Sequence, residues 1–416
     1  MLLLERKVVS AITLILLLAG TLTLAFNIRA VKAGGGTVYI RADGSIDPPT
    51  APILTVDNAT YTLTGNITSG ADGIVIERDN TIVDAAGYTI QGTGAYPYKG
   101  IDLSGRSNVT IRSMEIDTFS YGIWLDSSDY NSVIGNNITG NSYFGIQLYY
   151  SSNNSIVGNN VTITTGWGYG IGLNYSSSNT ISGNNIGNHY HYCIGLFFSS
   201  DYNIISGNNI INNGSNGADG ILSDSSDYNS VIGNNITGNN DHGIWLRGSS
   251  SNTISGNNVT ANHVGIVLSG SSDNRVYHNN FIDNSQQVIV YYSGFANVWD
   301  DGYPVGSNYW SDYHGIDLYS GPYQNETGSD GIGDVPYVID GVNIDRYPLV
   351  SAVRLLRGDL NFDGSVDIYD AIILAGAFNS IPGSPNWNPN ADINGDNIVD
   401  IYDAIMLAGH FNQHSP

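Results

Sequence analysis

Short apolar segments recur along the middle of the chain at a nearly constant spacing. Between residues 100 and 280, a G-I-x-L segment is followed by a serine-rich bend and then by an N-x-hydrophobic-x-G-N-N-hydrophobic segment. This unit returns every 22 to 27 residues. Its G-I anchor falls at Gly122, Gly145, Gly170, Gly220, Gly243 and Gly265, with Cys193 once in place of glycine. Self-similarity at this period predicts a solenoid.

Alignment of the repeats on one another indicates which side chains point inward. Two positions are apolar in every repeat. The first is Val133, Ile156, Ile181, Ile205, Val231, Ile254 and Val276, and the second is Ile138, Val161, Ile186, Ile210, Ile236, Val259 and Phe281. Because alternate residues of a strand face opposite sides, these positions predict stacked columns inside a parallel β-coil, with strands about 4.8 Å apart. The lack of a 3.6-residue period disfavours a helical solenoid.

Asparagine recurs at the bends as regularly as the apolar residues recur inside. The bend positions are Asn131, Asn154, Asn179, Asn203, Asn229, Asn252 and Asn274. Asparagine tolerates the left-handed backbone of a sharp corner, and its amide can bond to the same amide one turn above and below. We therefore expect asparagine ladders, with the asparagines themselves in the left-handed conformation.

Composition narrows the set of partners. The chain has 416 residues, 37 acids and 14 bases, and a net charge of -23. This charge repels nucleic acid and anionic membranes and suits hydrated cations, so we expect no nucleic-acid partner. A single cysteine excludes an intramolecular disulfide.

Two loops near the C-terminus have the spacing of oxygen ligands around a hard cation. The predicted ligands are Asp359, Asn361, Asp363, Ser365, Asp367 and Asp370 in one loop, and Asp392, Asn394, Asp396, Ile398, Asp400 and Asp403 in the other, where Ser365 and Ile398 offer backbone carbonyls. No Cys or His takes part, so the spacing predicts two Ca²⁺ sites. Each loop runs into a short amphipathic helix, with apolar residues at i, i+3, i+4 and i+7.

These residues carry two family resemblances. The repeat units, with the stretches 306–313, 330–337 and 345–349, resemble right-handed parallel β-helix proteins of the pectin-lyase-like class. Within that class they are most similar to the NosD-type periplasmic copper-binding and sugar-hydrolase repeats. The two loop-helix copies, both with V-D-I-Y-D-A-I, resemble a type I dockerin module. Together they imply an all-β right-handed parallel β-helix (solenoid), followed by a small α-helical domain with paired calcium loops.

The dockerin resemblance implies calcium-dependent folding and docking to a cohesin on another protein, commonly in polysaccharide-degrading assemblies. The sequence departs from the family at Ile368-Tyr369 and Ile401-Tyr402, where many dockerins carry small polar residues. Cohesin recognition therefore stays open. The alternative is an EF-hand-like pair that only folds on calcium or packs on its own β-helix.

The chain begins with a basic region, followed by an apolar run and then by a short segment of small residues. This order predicts a secretory signal peptide cleaved after Ala33, with an uncleaved membrane anchor as the alternative. The predicted segments are 1–33 signal peptide, 34–99 N-terminal cap and first coils, 100–290 β-helix repeats, 291–350 C-terminal coil and cap, 351–357 linker, and 358–416 dockerin-like calcium-binding module. Eleven N-x-S/T sequons permit glycosylation outside the cytoplasm.

Outward side chains of the G-I-x-L strands are candidates for ligand contact, because this face resembles the place where sugar chains lie on pectin-lyase-like folds. Trp124, Tyr149 and Trp245 are the predicted carbohydrate-binding residues. Asp102 and Asp126, on adjacent turns, are the predicted catalytic pair, since a diagonal separation of about 7 to 8 Å suits an inverting glycosidase. The alternative is a solvated strand face without activity.

The NosD resemblance also implies copper. His189, His191 and Cys193 share one turn, and His242 and His263 follow two and three turns later. Turns stack about 4.8 Å apart, so these groups are predicted to be too distant for one site. Calcium is the expected metal, and copper is less favoured.

The favoured function is a secreted or cell-surface β-helix protein that binds or processes extracellular polysaccharide and docks to a cohesin-like module. One alternative is a glycoside hydrolase or polysaccharide lyase of pectin-lyase-like fold. A lyase is disfavoured because Arg247 is the one base on the outward strip. The other alternative is a non-enzymatic surface or copper-binding NosD-like protein.

Overall fold

The chain forms a long parallel coil and a pair of short helices. In this computed structural model, the described residues are 35–162, 168–211, 217–292, 294–353, 356, 358–360, 365–381, 388–393 and 398–413. The predicted signal peptide lies outside the described residues, as do four predicted calcium ligands, Asn361, Asp363, Asn394 and Asp396. No helix in the described ranges is long and apolar enough to cross a membrane.

The strands are short and evenly spaced. The first eight are β1 Val38–Ile40, β2 Ile46–Asp47, β3 Ile53–Leu54, β4 Thr60–Leu63, β5 Ile67–Thr68, β6 Ile74–Ile76, β7 Thr81–Asp84 and β8 Thr89–Gln91. The repeats give β9 Lys99–Asp102, β10 Val109–Arg112, β11 Glu115–Asp117, β12 Tyr121–Asp126, β13 Ser132–Ile134, β14 Asn137–Thr139, β15 Phe144–Tyr149, β16 Ser155–Val157, β17 Asn160–Thr162, β18 Tyr169–Asn174, β19 Thr180–Ser182, β20 Asn185–Gly187, β21 Tyr192–Phe197, β22 Ile204–Ser206, β23 Asn209–Ile211, β24 Asp219–Asp224, β25 Ser230–Ile232, β26 Asn235–Thr237, β27 His242–Arg247, β28 Thr253–Ser255, β29 Asn258–Thr260, β30 Val264–Ser269, β31 Arg275–Tyr277, β32 Asn280–Ile282 and β33 Gln286–Tyr291. The last are β34 Tyr309–Trp310, β35 Tyr319–Ser320, β36 Glu326–Thr327, β37 Tyr337–Val338 and β38 Ile344–Asp345, and the helices are α1 Ile368–Ala377, α2 Ile401–His410 and a 3-10 turn Pro389–Ala391.

Successive turns of the coil stack into three long sheets. Sheet 1 has 12 strands in the order β2-β1-β6-β9-β12-β15-β18-β21-β24-β27-β30-β33 and holds the G-I-x-L segments. Sheet 2 has 11 strands, β3-β4-β7-β10-β13-β16-β19-β22-β25-β28-β31, and sheet 3 has 11, β34-β32-β29-β26-β23-β20-β17-β14-β11-β8-β5. Pairing is parallel except for β1 with β2 and β3 with β4. The predicted fold class, a parallel β-helix followed by a small helical domain, is confirmed.

The two predicted apolar columns lie inside the coil. Every member is buried, and none is more than 3% exposed. Full burial of such a side chain stabilises the fold by about 1.5–3 kcal/mol, so the columns are the main source of the coil's stability.

Asparagine ladders join the turns, as predicted, but the asparagines do not form the left-handed corners. Asn131 Nδ2 donates to Asn154 Oδ1 at 3.1 Å, and Asn154 Nδ2 donates to Asn179 Oδ1 at 3.1 Å. The positive-φ residue is the one before each asparagine, for example Tyr130 with φ 59° and Ser178 with φ 59°. The expectation was wrong because the asparagine side chain must point into the coil to reach its neighbours, so the residue before it makes the turn.

Glycine occupies the G-I position because the next turn approaches it closely. A Cβ added at Gly122 would lie 2.4 Å from the carbonyl oxygen of Gly145 and 2.6 Å from Ile138 Cγ2. As a result, Gly122 and the next residue, Ile123, both face inward. This local break in strand alternation decides which side chains reach the outer face of sheet 1.

The last turn of the coil closes the ladders with different groups. Asn308 Oδ1 accepts from Asn279 Nδ2 at 3.0 Å, and the Asn308 backbone N–H donates to Asp345 Oδ2 at 3.3 Å. Trp310 Nε1 donates to the same oxygen at 2.8 Å. Burial raises the pKa of Asp345 to about 7. The ladder that began with neutral amides therefore ends on a buried carboxyl group.

Candidate functional site

On the outer face of sheet 1, side chains differ from turn to turn. In β12 the burial pattern makes the first, fourth and sixth residues outward, because the second and third both face inward. The sequence prediction counted from the glycine and missed the first of these columns. That column contains Tyr121, Phe144, Tyr169, Tyr192, Asp219 and His242. Sheet 3, in contrast, repeats asparagine on its outer face, with bonds such as Asn160 Nδ2 to Asn137 Oδ1 at 2.7 Å.

Four aromatic rings of the first column stack along the coil. The ring centroids of Tyr121 and Phe144 are 6.0 Å apart, those of Phe144 and Tyr169 are 4.7 Å apart, and those of Tyr169 and Tyr192 are 5.3 Å apart. A Cβ added at Gly172 would lie 2.5 Å from Phe144, so this ring covers the glycine. Burial raises the pKa of Tyr121 and of Tyr192 to about 12, which keeps both hydroxyls protonated. The stack therefore offers ring edges and hydroxyl groups rather than open ring faces.

A second aromatic group lies at the bend that follows sheet 1. Tyr149, a predicted carbohydrate-binding residue, contacts Tyr150 with a centroid distance of 4.5 Å. Tyr150 stacks on Tyr175 at 4.8 Å, and Tyr175 stacks on Phe198 at 5.4 Å. These last three side chains are 42 to 52% exposed. Exposed apolar surface of this kind is typical of binding sites.

Asp102 and Asp126, the predicted catalytic pair, lie on neighbouring strands but not opposite each other. The register places Asp102 beside Trp124, and it places Asp126 beside Tyr149. Asp102 Oδ2 accepts from Lys99 Nζ at 2.6 Å, and the Lys99 ammonium lies 5.3 Å from the Trp124 ring centroid. Asp126 accepts a hydrogen bond from the neighbouring Ser127 hydroxyl. The Asp102 carboxylate is thus held by a cation on its own strand.

An acidic and histidine cluster continues the first column beyond the aromatic stack. His242 Nδ1 lies 2.8 Å from Asp219 Oδ1, and His242 Nε2 lies 3.2 Å from Asp241 Oδ1. Asp219 is only 2% exposed, and burial raises its pKa. The ring of Trp245, a predicted carbohydrate-binding residue, lies 5.0 Å from that of His242. Arg247 pairs with Asp224 at the end of the same strands.

Sequence reasoning missed Asp219 and Asp241. The available signal was the residue before the G-I anchor, which is aromatic in four consecutive turns and then becomes Asp219 and His242. This change of residue type marks the turn where the chemistry of the outer face changes.

Two of the three residues in the predicted His-Cys group are inside the coil. His189 is buried, its Nε2 lies 3.0 Å from the Val161 carbonyl oxygen, and burial lowers its pKa to about 4. The Cys193 thiol is also buried, which raises its pKa, and it faces the Ile186 carbonyl oxygen. Only His191 of this group is partly exposed, and it stacks on Tyr169 at 5.7 Å. The three side chains do not converge on the surface.

The helical domain buries carboxylates at equivalent places in its two copies. Asp370 and Asp403, the last predicted ligand of each loop, are fully buried. Asp370 Oδ2 accepts from the Asp367 backbone N–H at 2.7 Å, and Asp403 Oδ2 accepts from that of Asp400 at 2.8 Å. Asp359, the first predicted ligand, is buried as well. Buried carboxylates are stable when they are paired or bind a cation, and an all-oxygen set fits calcium.

The helices of this domain also expose apolar side chains in duplicate. The exposed residues are Ile368, Tyr369 and Ile372 on α1, and Ile401, Tyr402 and Ile405 on α2, each 56 to 64% exposed. The three positions of α1 correspond one to one with those of α2. The domain therefore presents two chemically similar apolar faces.

The sequence matches two family descriptions. It matches "Periplasmic copper-binding protein (NosD)" over residues 39–219 and 195–315, and "Dockerin type I domain" over residues 357–412. No curated protein matches the chain. Among solved structures, the periplasmic alginate epimerase AlgG is 17% identical over 64% of this chain and 82% of its own, with a TM-score of 0.47. The Dettilon tailspike protein is 16% identical over 66% of each chain with a TM-score of 0.44, and pectate lyase Pel9A is 13% identical over 72% and 80% with a TM-score of 0.41.

Proposed function

This chain belongs to the NosD family and carries a C-terminal dockerin type I domain, and from that premise we propose that it is an extracellular polysaccharide-binding protein. In this proposal, glycan binds along the outer face of sheet 1 and the neighbouring bend, and the dockerin domain holds the protein to a cohesin-like module. NosD proteins are described as periplasmic, and dockerins act outside the cell, so the proposed location is outside the cytoplasmic membrane.

The observation that carries the glycan proposal is the exposed aromatic group at the bend. Tyr150, Tyr175 and Phe198 on three consecutive turns form a continuous apolar surface, flanked by the half-buried Tyr149. Tyrosine combines an apolar body with a hydroxyl that can bond to sugar hydroxyls. The repeat of one ring per turn suits a ligand that itself repeats, such as a polysaccharide chain.

Charge favours a neutral polysaccharide over an acidic one. The protein has a net charge of -23, and a strongly negative surface repels polyanions. The cations near this face, Lys99 and Arg247, are paired with Asp102 and Asp224. A neutral glycan escapes this repulsion.

The proposed docking partner is a cohesin-like module with apolar contact surfaces. Dockerin domains bind cohesins, and here the exposed Ile-Tyr pairs of α1 and α2 take the places where many dockerins have small polar residues. Calcium in the two loops would neutralise the buried Asp370 and Asp403 and hold the helices in place.

The family description names copper, but copper(I) does not fit the residues of the described coil. Copper(I) prefers thiolate and thioether ligands. Cys193 and Met114 are both buried, and His189 is held by the Val161 carbonyl group. The proposed function therefore does not involve copper(I).

A polysaccharide panel tests the glycan proposal. The full chain, with calcium, is run in affinity electrophoresis against neutral and acidic polysaccharides, and reducing ends and unsaturated products are measured in the same samples. We expect retardation by a neutral polysaccharide without product. Tyr150→Ala with Tyr175→Ala removes two stacked rings, and a loss of about 1 kcal/mol for each weakens binding roughly tenfold or more.

The matched control is Tyr202→Ala with Tyr228→Ala. These rings form another exposed stacked pair, 5.0 Å apart, at the sheet 2 end of the bends. Binding should be unchanged in the control. No retardation by any polysaccharide would overturn the glycan proposal, and product formation would favour the glycoside hydrolase or lyase alternative.

A separate measurement tests docking. Surface plasmon resonance with a panel of cohesin modules should show calcium-dependent binding that Tyr369→Ser with Tyr402→Ser weakens. Binding to no cohesin in calcium would refute the docking proposal and leave the glycan proposal standing.

A further inference from the structure

The acidic and histidine cluster on sheet 1 brings three possible metal ligands together from two adjacent turns. Asp219 opens β24, and His242 opens β27, which pairs with β24 in parallel. The His242 backbone N–H donates to Asp219 Oδ1 at 2.9 Å, which fixes the carboxylate against the next turn. One ligand atom from each of Asp219, Asp241 and His242 can be chosen so that all three lie within 4.8 Å of one another.

The cluster has more negative charge than its neighbours compensate. Among the described residues, the ion pairs of Asp219 and Asp241 are with His242 alone, while Arg247 is paired with Asp224. The charge of Asp219 also acts on the preceding turn, where Tyr192 opens β21 beside Asp219. The pKa of Tyr192 is raised mainly by burial and further by Asp219. Two carboxylates that share one imidazole form a site where a cation is stabilised.

A neighbouring donor is also without a partner. The Trp245 Nε1–H is buried and has no acceptor among the described residues, and its ring lies 5.0 Å from that of His242. A buried donor without a partner costs about 1–3 kcal/mol. A water molecule held beside a bound ion, but not coordinated to it, would bring an oxygen acceptor to this part of the surface.

We propose that Asp219, Asp241 and His242 bind a divalent transition-metal ion, with water in the remaining coordination positions. Two carboxylates and one imidazole suit Zn²⁺ or Co²⁺ better than Ca²⁺ or Mg²⁺, which take oxygen ligands, and better than copper(I). The Asp241 side chain is 37% exposed, so an ion can reach the site from solvent. The site is separate from the dockerin loops and depends on neither the glycan nor the docking proposal.

Calorimetry on the full chain tests this assignment. Zn²⁺ is titrated into protein kept in excess calcium, so that the dockerin loops are saturated. We expect a binding event that Asp219→Asn, Asp241→Asn and His242→Gln each weaken at least tenfold. Asp241→Asn is the decisive variant, because its side chain is partly exposed and its loss leaves the coil folded.

Two matched variants show whether Zn²⁺ binding depends on the cluster or on other residues near it. His263→Gln removes an exposed histidine one turn further on, and Asp224→Asn removes a nearby acid that pairs with Arg247. Both should bind Zn²⁺ as the unmodified chain does. Loss of binding in these variants but not in Asp241→Asn would overturn the assignment.

Trp245 provides a second readout at the site. Co²⁺ and Cu²⁺ quench nearby indole fluorescence, so either ion should quench the unmodified chain and should quench Trp245→Phe less, while calorimetry shows that Trp245→Phe still binds Zn²⁺. No heat with Zn²⁺ and no quenching with Co²⁺ in the unmodified chain would refute the proposal. Equal affinity in all cluster variants would refute it too.

Discussion

The coil and the helical domain are both built by repetition, but they treat buried polar groups in opposite ways. In the coil, amides such as Asn154 and Asn179 bond to one another, so each turn provides the partners of the next. In the helical domain, the repeated buried groups are the carboxylates Asp370 and Asp403. Neutral amides can satisfy one another without help, whereas buried carboxylates gather charge that a cation must offset. Repetition therefore gives one region whose buried polar groups satisfy one another and one whose buried carboxylates we expect to require a cation.

Calcium removal gives the largest expected contrast between the two regions. We expect EGTA to unfold the helical domain and leave the coil folded, because each site occupied at 100 times its Kd contributes about 2.7 kcal/mol. Limited proteolysis with mass spectrometry locates the cleavages, which should fall after residue 350. Asp370→Asn with Asp403→Asn should be cleaved there even in calcium. Equal protection with and without calcium would contradict the contrast.

Removal of one buried amide is the corresponding test within the coil. Asn184 Oδ1 accepts from the Asn159 backbone N–H at 2.8 Å, and Asn184 Nδ2 donates to the Ile156 carbonyl at 2.9 Å and to Asn208 Oδ1 at 3.0 Å. Asn184→Ala takes these partners from the Asn159 backbone N–H and the Ile156 carbonyl, while Asn208 Oδ1 keeps its bond from the backbone N–H of residue 184. At about 1–3 kcal/mol for each unsatisfied group, we expect the free energy of unfolding to fall by about 3 kcal/mol or more in urea denaturation.

The adjacent residue provides the control for that change. Asn185 belongs to the exposed ladder of sheet 3, where its Nδ2 donates to Asn160 Oδ1 at 2.7 Å in contact with water. Asn185→Ala should lower the free energy of unfolding by less than about 1 kcal/mol, because water replaces the lost partner. Similar losses for both variants would mean that the buried ladder has no special role.

The buried columns and ladders could be predicted from the sequence because every turn repeats them. Alignment of the repeats, together with strand alternation, identified Val133 and Ile138 as inward, and both are buried. The same reasoning failed at the G-I anchor, where the missing Cβ of Gly122 lets two consecutive residues face inward. Asp219 was missed for this reason, and also because only the stacking of turns shows that it meets Asp241 and His242. The calcium ligands remain a prediction from spacing, which depends on local chain geometry rather than on distant contacts.

Asp345 tests one similarity between the coil and the helical domain, since its carboxyl group is buried at the end of a ladder. Its pKa of about 7 in the folded chain lies above its unfolded value. Between about pH 4 and pH 7 the folded state therefore binds more protons, so the free energy of unfolding falls as pH rises through this window and is then constant. The slope is at most about 1.4 kcal/mol per pH unit.

Denaturation in urea at about pH 5 and about pH 8 measures this slope, given the linkage between protonation and stability. Asp345→Asn should remove most of the difference between the two pH values. Asp312→Asn, an exposed acid of the same part of the chain that accepts from the Tyr337 hydroxyl, should keep it. An unchanged slope in Asp345→Asn would place the titrating group elsewhere.

The smallest expected effect concerns Asp102 on the outer face of sheet 1. Asp102→Asn should leave glycan binding unchanged, because the carboxylate is engaged by Lys99 and the proposed contact surface is aromatic. Affinity electrophoresis and product assays measure this, with Asp126→Asn in parallel. If product is formed and either variant abolishes it, the two acids form a catalytic pair and the binding-only proposal is wrong.

The closeness of Gly122 to the carbonyl of Gly145 has a consequence for how such a chain changes length during evolution. Each turn meets its neighbours through the same glycine contact and the same amides, so the junction between any two turns is nearly equivalent. Duplication or loss of a gene segment that encodes one whole turn restores every junction and changes the length of the coil by about 4.8 Å. A segment that encodes a partial turn breaks all three sheets at once. The length of the coil can thus change during evolution by whole turns. The outward residues of each turn remain free to diverge.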